Sequence, residues 1–100
     1  MTETSINYAK ALYELSVPEE AVSETEKIFR GTPQLKGALE NPLVSLKEKE
    51  HVIDRVFPQE MRNFLKVTCK YQKIGSIYEI LEAYGDYSRQ HKGVLKAVLT

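Results

Sequence analysis

Between Pro58 and Gly75 the chain reads PQEMRNFLKVTCKYQKIG. On a helical wheel the bases Arg62, Lys66, Lys70 and Lys73 fall within roughly 80°, while Met61, Phe64, Leu65, Val67, Thr68, Cys69 and Tyr71 spread over roughly 200°. That pattern predicts a helix over 59–72, with Pro58 ending the element before it and Gly75 supplying the turn after it. The apolar arc is about twice what a surface helix needs to sit on a core.

The same spacing of three and four recurs on both sides, broken at short intervals by Pro and Gly, and predicts six helices. A first runs over 4–17 and stops where Pro18 restricts the residue before it. A second runs over 18–30, with Glu19 and Glu20 near its positive end and Lys27 and Arg30 near its negative end. Thr32 and Pro33 open a short third helix to Glu40. Ser45 with Glu48 is a capping box for a fourth over 46–57, with Leu46, Val52, Ile53 and Val56 facing inward. Ser76 with Glu79 is a second box, opening a sixth helix to Lys92. Gly93 then ends the helix, and Val94 to Leu99 reads as a strand without a partner, whose backbone groups would stay unsatisfied. The expected fold is therefore an all-α six-helix bundle, residues 1–93, with a C-terminal strand-like segment, 94–100, leading to a second domain that is missing here. No repeat or Gly/Ser linker divides it. Gly37 and Gly85, inside helical patterns, suggest close approach by another helix.

The 100 residues carry 14 Lys plus Arg against 14 Asp plus Glu. With no net charge, nothing draws a polyanion, so nucleic acid is not an expected partner. No apolar run reaches the roughly 18 residues of a membrane span, and Met1 to Ile6 lack the basic start and apolar run of a signal peptide, which reads as a chain made without an import sequence. Catalytic and metal-binding groupings are absent. His51 and His91 stand forty residues apart, Glu48-x-x-His51 is a single copy of a motif that metal bundles need twice, and no glycines cluster into a phosphate loop. Cys69, the lone cysteine, reads as a small core residue. No cofactor is expected and the chain does not read as an enzyme.

What rises above background is surplus apolar surface. In the first helix Asn7, Lys10 and Glu14 occupy only roughly 60° of the wheel, so it shares the excess of the fifth. Either the two helices are the covered centre of the bundle, or part of the excess stays open as an apolar groove for an amphipathic helix of another protein, with Tyr8, Tyr13 and Tyr71 suited to a half-wet edge. Charge is uneven too: Met1 to Glu26 holds six acids and one base, and Arg55 to Lys73 five bases and one acid. The basic stripe either orients a partner or pairs with the acidic first two helices.

Several stretches also resemble one family. Asn7-Tyr8-Ala9-Lys10-Ala11-Leu12-Tyr13-Glu14-Leu15 is similar to the Tyr-Ala-Lys-Ala-Leu opening of the ATP synthase delta subunit, the oligomycin sensitivity-conferring protein of mitochondria. Leu39-Glu40-Asn41-Pro42-Leu43-Val44-Ser45 resembles its Asn-Pro turn, Asn63-Phe64-Leu65-Lys66-Val67 its Phe-Leu-Lys segment, and Glu79 to Tyr84 and Gly93 to Ala97 its last helix and exit strand. Where the family often has a Gly-Arg turn after helix five, this chain has Gln72-Lys73, and Ser16 stands in place of a common Ala. The resemblance implies a non-catalytic stator subunit of the peripheral stalk of a proton-transporting rotary ATP synthase, peripheral at the cytoplasmic face of the bacterial membrane and not inserted in it. It implies that an N-terminal helix of an alpha subunit is bound by Tyr8, Ala11, Leu12 and Leu15 of the first helix and Phe64, Val67, Thr68 and Tyr71 of the fifth. The stalk's b subunits would meet the missing C-terminal part. The alternative is a generic helical adaptor for some other amphipathic segment.

Overall fold

The computed structural model describes the backbone of residues 2–99 and the side chains of residues 2–90. Six helices form: α1 (Glu3–Glu14), α2 (Glu19–Gly31), α3 (Pro33–Glu40), α4 (Leu46–Val56), α5 (Gln59–Lys70) and α6 (Ile77–Leu99), with a 3₁₀ turn at Ile74–Ser76 before the last. The all-α expectation holds, and no strand occurs among the described residues.

The expected strand at 94–99 is a correction. Gly93 does not end α6, and the backbone continues as helix to Leu99. A helix bonds its own amides and carbonyls within the segment, whereas a lone strand would need a neighbour to do so.

The chain divides into two compact units, one of Met1–Ser16 with Ile77–Thr100 and one of Val17–Ser76. In the first, α1 packs along α6. Ala9 and Leu12 of α1 are buried, as are Ile77, Ile80, Leu81, Ala83 and Tyr84 of α6. The Tyr13 ring meets Tyr87 edge-on with centroids 5.0 Å apart and lies 6.3 Å from Tyr84. At the other end of α1, Thr2 is the N-cap and accepts the Ser5 amide at 3.2 Å.

In the second unit α5 packs on α4 and meets α2. Phe29 of α2 and Phe57, just past α4, are fully enclosed with ring centroids 4.9 Å apart, beside a core that includes Leu39, Ile53, Met61, Leu65 and Ile74. Ser45 caps α4 as its sequence predicts, accepting the Glu48 amide at 3.1 Å. Of the four α4 residues expected to face inward, Ile53 is buried and Val52 half-buried, but Leu46 and Val56 are exposed. Leu46 and Val56 are the first and last residues of α4, and the packed stretch lies between them.

Two further local expectations change. Ser76 does not cap α6; it sits in the 3₁₀ turn, and Glu79 accepts hydrogen bonds from Thr2 and Ser5 instead. Gly75 is not the residue that turns the chain after α5. That residue is Gln72, at φ 58°. Lys73 N–H donates to Thr68 O at 2.8 Å and Gln72 N–H to Cys69 O at 3.0 Å, the paired bonds of a Schellman cap, in which the left-handed place is usually taken by glycine. Neither helical glycine marks a close helix approach: a Cβ on Gly37 would meet nothing within 4 Å, and one on Gly85 would meet only the Arg89 guanidinium at 3.5 Å.

Candidate partner-binding faces

The eight residues named for partner binding fall at the same spacing on two helices, i, i+3, i+4 and i+7: Tyr8, Ala11, Leu12, Leu15 and Phe64, Val67, Thr68, Tyr71. Spacing of this kind places each set on one side of its helix, so burial should change smoothly across it. It does so in the same order on both. The i+4 residues, Leu12 and Thr68, are wholly buried. The i residues come next, Tyr8 half-buried and Phe64 buried. The i+3 and i+7 residues are open: Ala11 and Leu15 on α1, Val67 and Tyr71 on α5. Leu15 retains 54% of its surface and Tyr71 58%, too much for residues serving only a core.

Thus Leu12, Phe64 and Thr68 serve the packing of their own units; the members left open are Ala11 and Leu15 on α1 and Val67 and Tyr71 on α5, with Tyr8 half-buried. The Thr68 hydroxyl donates to Phe64 O at 2.7 Å, which satisfies it inside the core without a partner. Both open sets lie toward a helix end. Leu15 is the C-cap of α1 and Tyr71 that of α5, each followed by a left-handed residue, Ser16 or Gln72, that turns the backbone away.

The basic stripe of α5 is partly consumed within its unit. Lys66 Nζ lies 2.7 Å from Asp54 Oδ1 of α4, and Arg62 Nε donates to Phe57 O at 3.0 Å. The Lys66 hydrogen bond holds the Asp54 carboxyl below its usual range, with Arg62 and His51 adding smaller contributions. Lys70 stays at the surface with its ammonium 5.7 Å from the centre of the Tyr71 ring, in reach of a cation–π contact. Among the described residues the ion pair of this stripe is thus made with α4.

One apolar residue escaped the sequence reading. Leu43 is 91% exposed. Asn41 Oδ1 accepts its amide at 2.9 Å, fixing the turn that holds it outward, and an aliphatic residue directly after Asn-Pro was the available signal.

No group of three or more His, Cys, Asp or Glu among the described residues is placed to hold a metal ion. His51 is exposed on α4, and the side chain of His91 lies outside the described residues. Burial pushes the Cys69 thiol up to about 11, so it stays protonated and unreactive at neutral pH. Among the described residues no helix is long and apolar enough to cross a membrane.

These features meet a clear likeness to known proteins. The chain is 29% identical to an ATP synthase subunit delta of Prochlorococcus marinus (strain MIT 9301), over 93% of its own length and 58% of the relative's. It is 29% identical to one of Latilactobacillus sakei, over 93% and 57%. Against the mitochondrial ATP synthase subunit 5 of Saccharomyces cerevisiae the figures are 27%, 93% and 50%. The chain thus spans between half and three-fifths of the relatives it matches. No solved structure gives a significant match. The model of the ATP synthase delta (OSCP) subunit family matches residues 5–100. Since that match takes in nearly the whole chain, including both helices with open apolar positions, the chain belongs to the ATP synthase delta (OSCP) subunit family.

Proposed function

We propose that this chain is the helical, non-catalytic stator part of a proton-transporting rotary ATP synthase, and that it grips an N-terminal helix of an alpha subunit. The observation that carries the proposal is the matched pair of open positions, Ala11 and Leu15 on α1 and Val67 and Tyr71 on α5, in a chain of this family. A peripheral stalk must keep the catalytic head from following the rotor, which calls for durable attachment and no chemistry. Burying apolar surface at roughly 25 cal/mol per Å² supplies such attachment once it exceeds the entropy lost on association. Lys70 beside Tyr71 gives the α5 side a cationic edge that favours an acidic residue on the incoming helix.

Residues 94–100 would then be the connection to the family's remaining length, which meets the b subunits of the stalk. On this reading the chain sits at the cytoplasmic face of a bacterial membrane as a peripheral component.

The test is calorimetry with a peptide of the alpha subunit's N-terminal segment. Ala11→Asp and Val67→Asp place a charge where an apolar partner must dehydrate it, so each should weaken binding by about tenfold or more. Both sites are exposed, so the far-UV circular dichroism spectrum should stay helical. Unchanged affinity in both variants would remove these faces from the proposal.

A further inference from the structure

Where α1 packs along α6, its contacts divide into a central set and a lateral one. On a wheel Ser5, Ala9 and Leu12 fall within roughly 60° and all are buried, which makes them the packed face of α1. Tyr13 lies to one side of that face, next to Ile6. Leu15 and Ala11 lie to the other side, with half-buried Tyr8 between them and the packed face. Two positions from each, Tyr13 points roughly 160° away from both Ala11 and Leu15.

A helix resting on another along so narrow a face can roll about its own axis, and the forces on the two flanks of α1 are unequal. The Tyr13 ring meets Tyr87 edge-on at 5.0 Å and Tyr84 at 6.3 Å, within the range where aromatic pairs attract. Tyr84 is itself buried, so the ring docks on a fixed surface of α6. On the opposite flank Leu15 keeps 54% of its surface in water, and a roll toward α6 would bury part of it. Ser5, near the midline of the packed face, ties the start of α1 to Glu79 and favours neither flank.

We propose that Tyr13 is a positioning residue: held by Tyr84 and Tyr87, it stops that roll and keeps Ala11 and Leu15 facing outward. Its value for partner binding rests on the alpha-helix reading of those two positions, whereas the rotation itself does not. On that reading Ala11 and Leu15 touch the partner, and Tyr13 acts only through the direction in which α1 faces.

The test is thiol labelling of Leu15→Cys, on the open flank, and Ile6→Cys, on the flank of Tyr13, each with and without Tyr13→Ala. Ile6 is 38% exposed, so both positions start accessible. Cys69 is buried and protonated, and its slow background is measured in the chain without either cysteine variant. Rolling turns position 15 inward and position 6 outward. Tyr13→Ala should therefore slow labelling at 15 and speed it at 6, each by about twofold or more, and Tyr13→Phe should recover both rates. Loosening of α1 alone would speed both, and that result, or two unchanged rates, would overturn the proposal. If Tyr13→Ala folds poorly, Tyr87→Ala removes the nearer ring partner and should move the two rates in the same opposite senses. With native Ile6 and Leu15, Tyr13→Ala should weaken binding of the alpha peptide by about fivefold or more, and Tyr13→Phe should recover it. Labelling uses no peptide, so failure of the unaltered chain to bind the peptide would remove the alpha-helix reading and leave the rotation to be decided by the two rates.

Discussion

The hydroxyl of Ser5 in α1 donates to the carboxylate of Glu79 in α6 at 2.5 Å, joining residues 74 positions apart. Thr2, the N-cap of α1, donates to the same oxygen at 3.2 Å while accepting the Ser5 amide. Ser5 is wholly buried, so its hydroxyl requires a partner and Glu79 is that partner.

This cluster makes the pairing of α1 with α6 sensitive to acid. The hydrogen bond from Ser5 lowers the Glu79 carboxyl below its usual value; desolvation opposes it and the Thr2 bonds reinforce it. A carboxyl depressed in the folded state stabilises that state above its unfolded pKa, about 4.3 for Glu, and the contribution disappears as pH falls through the folded value. Thermal melts from neutral to acid pH should show the unaltered chain more stable than Glu79→Gln above roughly pH 5, with the gap closing below about pH 4. A gap that stays constant with pH would remove the carboxylate from this role.

Leu12 and Leu15, three residues apart and about 60° apart in facing, should answer oppositely. Leu12→Ala empties a fully enclosed site and should cost about 2–5 kcal/mol in urea unfolding. Leu15→Ala removes a side chain 54% exposed and should shift stability by about 0.5 kcal/mol or less, yet weaken alpha-peptide binding. If both variants lose stability alike, Leu15 belongs to the core and not to a partner face.

Backbone conformation yields a pair of stabilising changes. Gln72 holds φ 58° in the cap of α5, a conformation costing about 1–2 kcal/mol for residues with a Cβ, so Gln72→Gly should raise stability by about 0.5–1 kcal/mol. Gly37 sits inside α3 with space around it, and Gly37→Ala should gain about 0.5–1 kcal/mol. Urea midpoints measure both. A loss at position 72 would mean that its side chain contributes more than the cap strain it brings.

Ser45 and Ser76 separate a cap that forms from one that only the sequence suggests. Ser45→Ala should cost about 1 kcal/mol, the usual value of an N-cap, through the lost bond from the Glu48 amide. Ser76→Ala should change little, about 0.5 kcal/mol or less, because Ser76 lies in the 3₁₀ turn and Glu79 is engaged by α1. Equal losses would restore the capping box at α6.

The sequence by itself determined the number and order of the helices, their starts at Ser45 and Pro33, and the two sets of apolar residues at i, i+3, i+4 and i+7. Each depends on residues within a few positions of one another, where period, caps and proline act directly. Tertiary structure decided which member of each set is enclosed, so that Leu12 and Thr68 are core while Leu15 and Tyr71 are open. It also decided that Glu79 turns to Ser5 and that Lys66 meets Asp54. The α5 cap forms at Gln72 although Gly75 is the better left-handed residue, because the Schellman bonds are set by where the helix ends. Local pattern states how much apolar surface a helix carries; only the packing of its neighbours states how much of that surface is used.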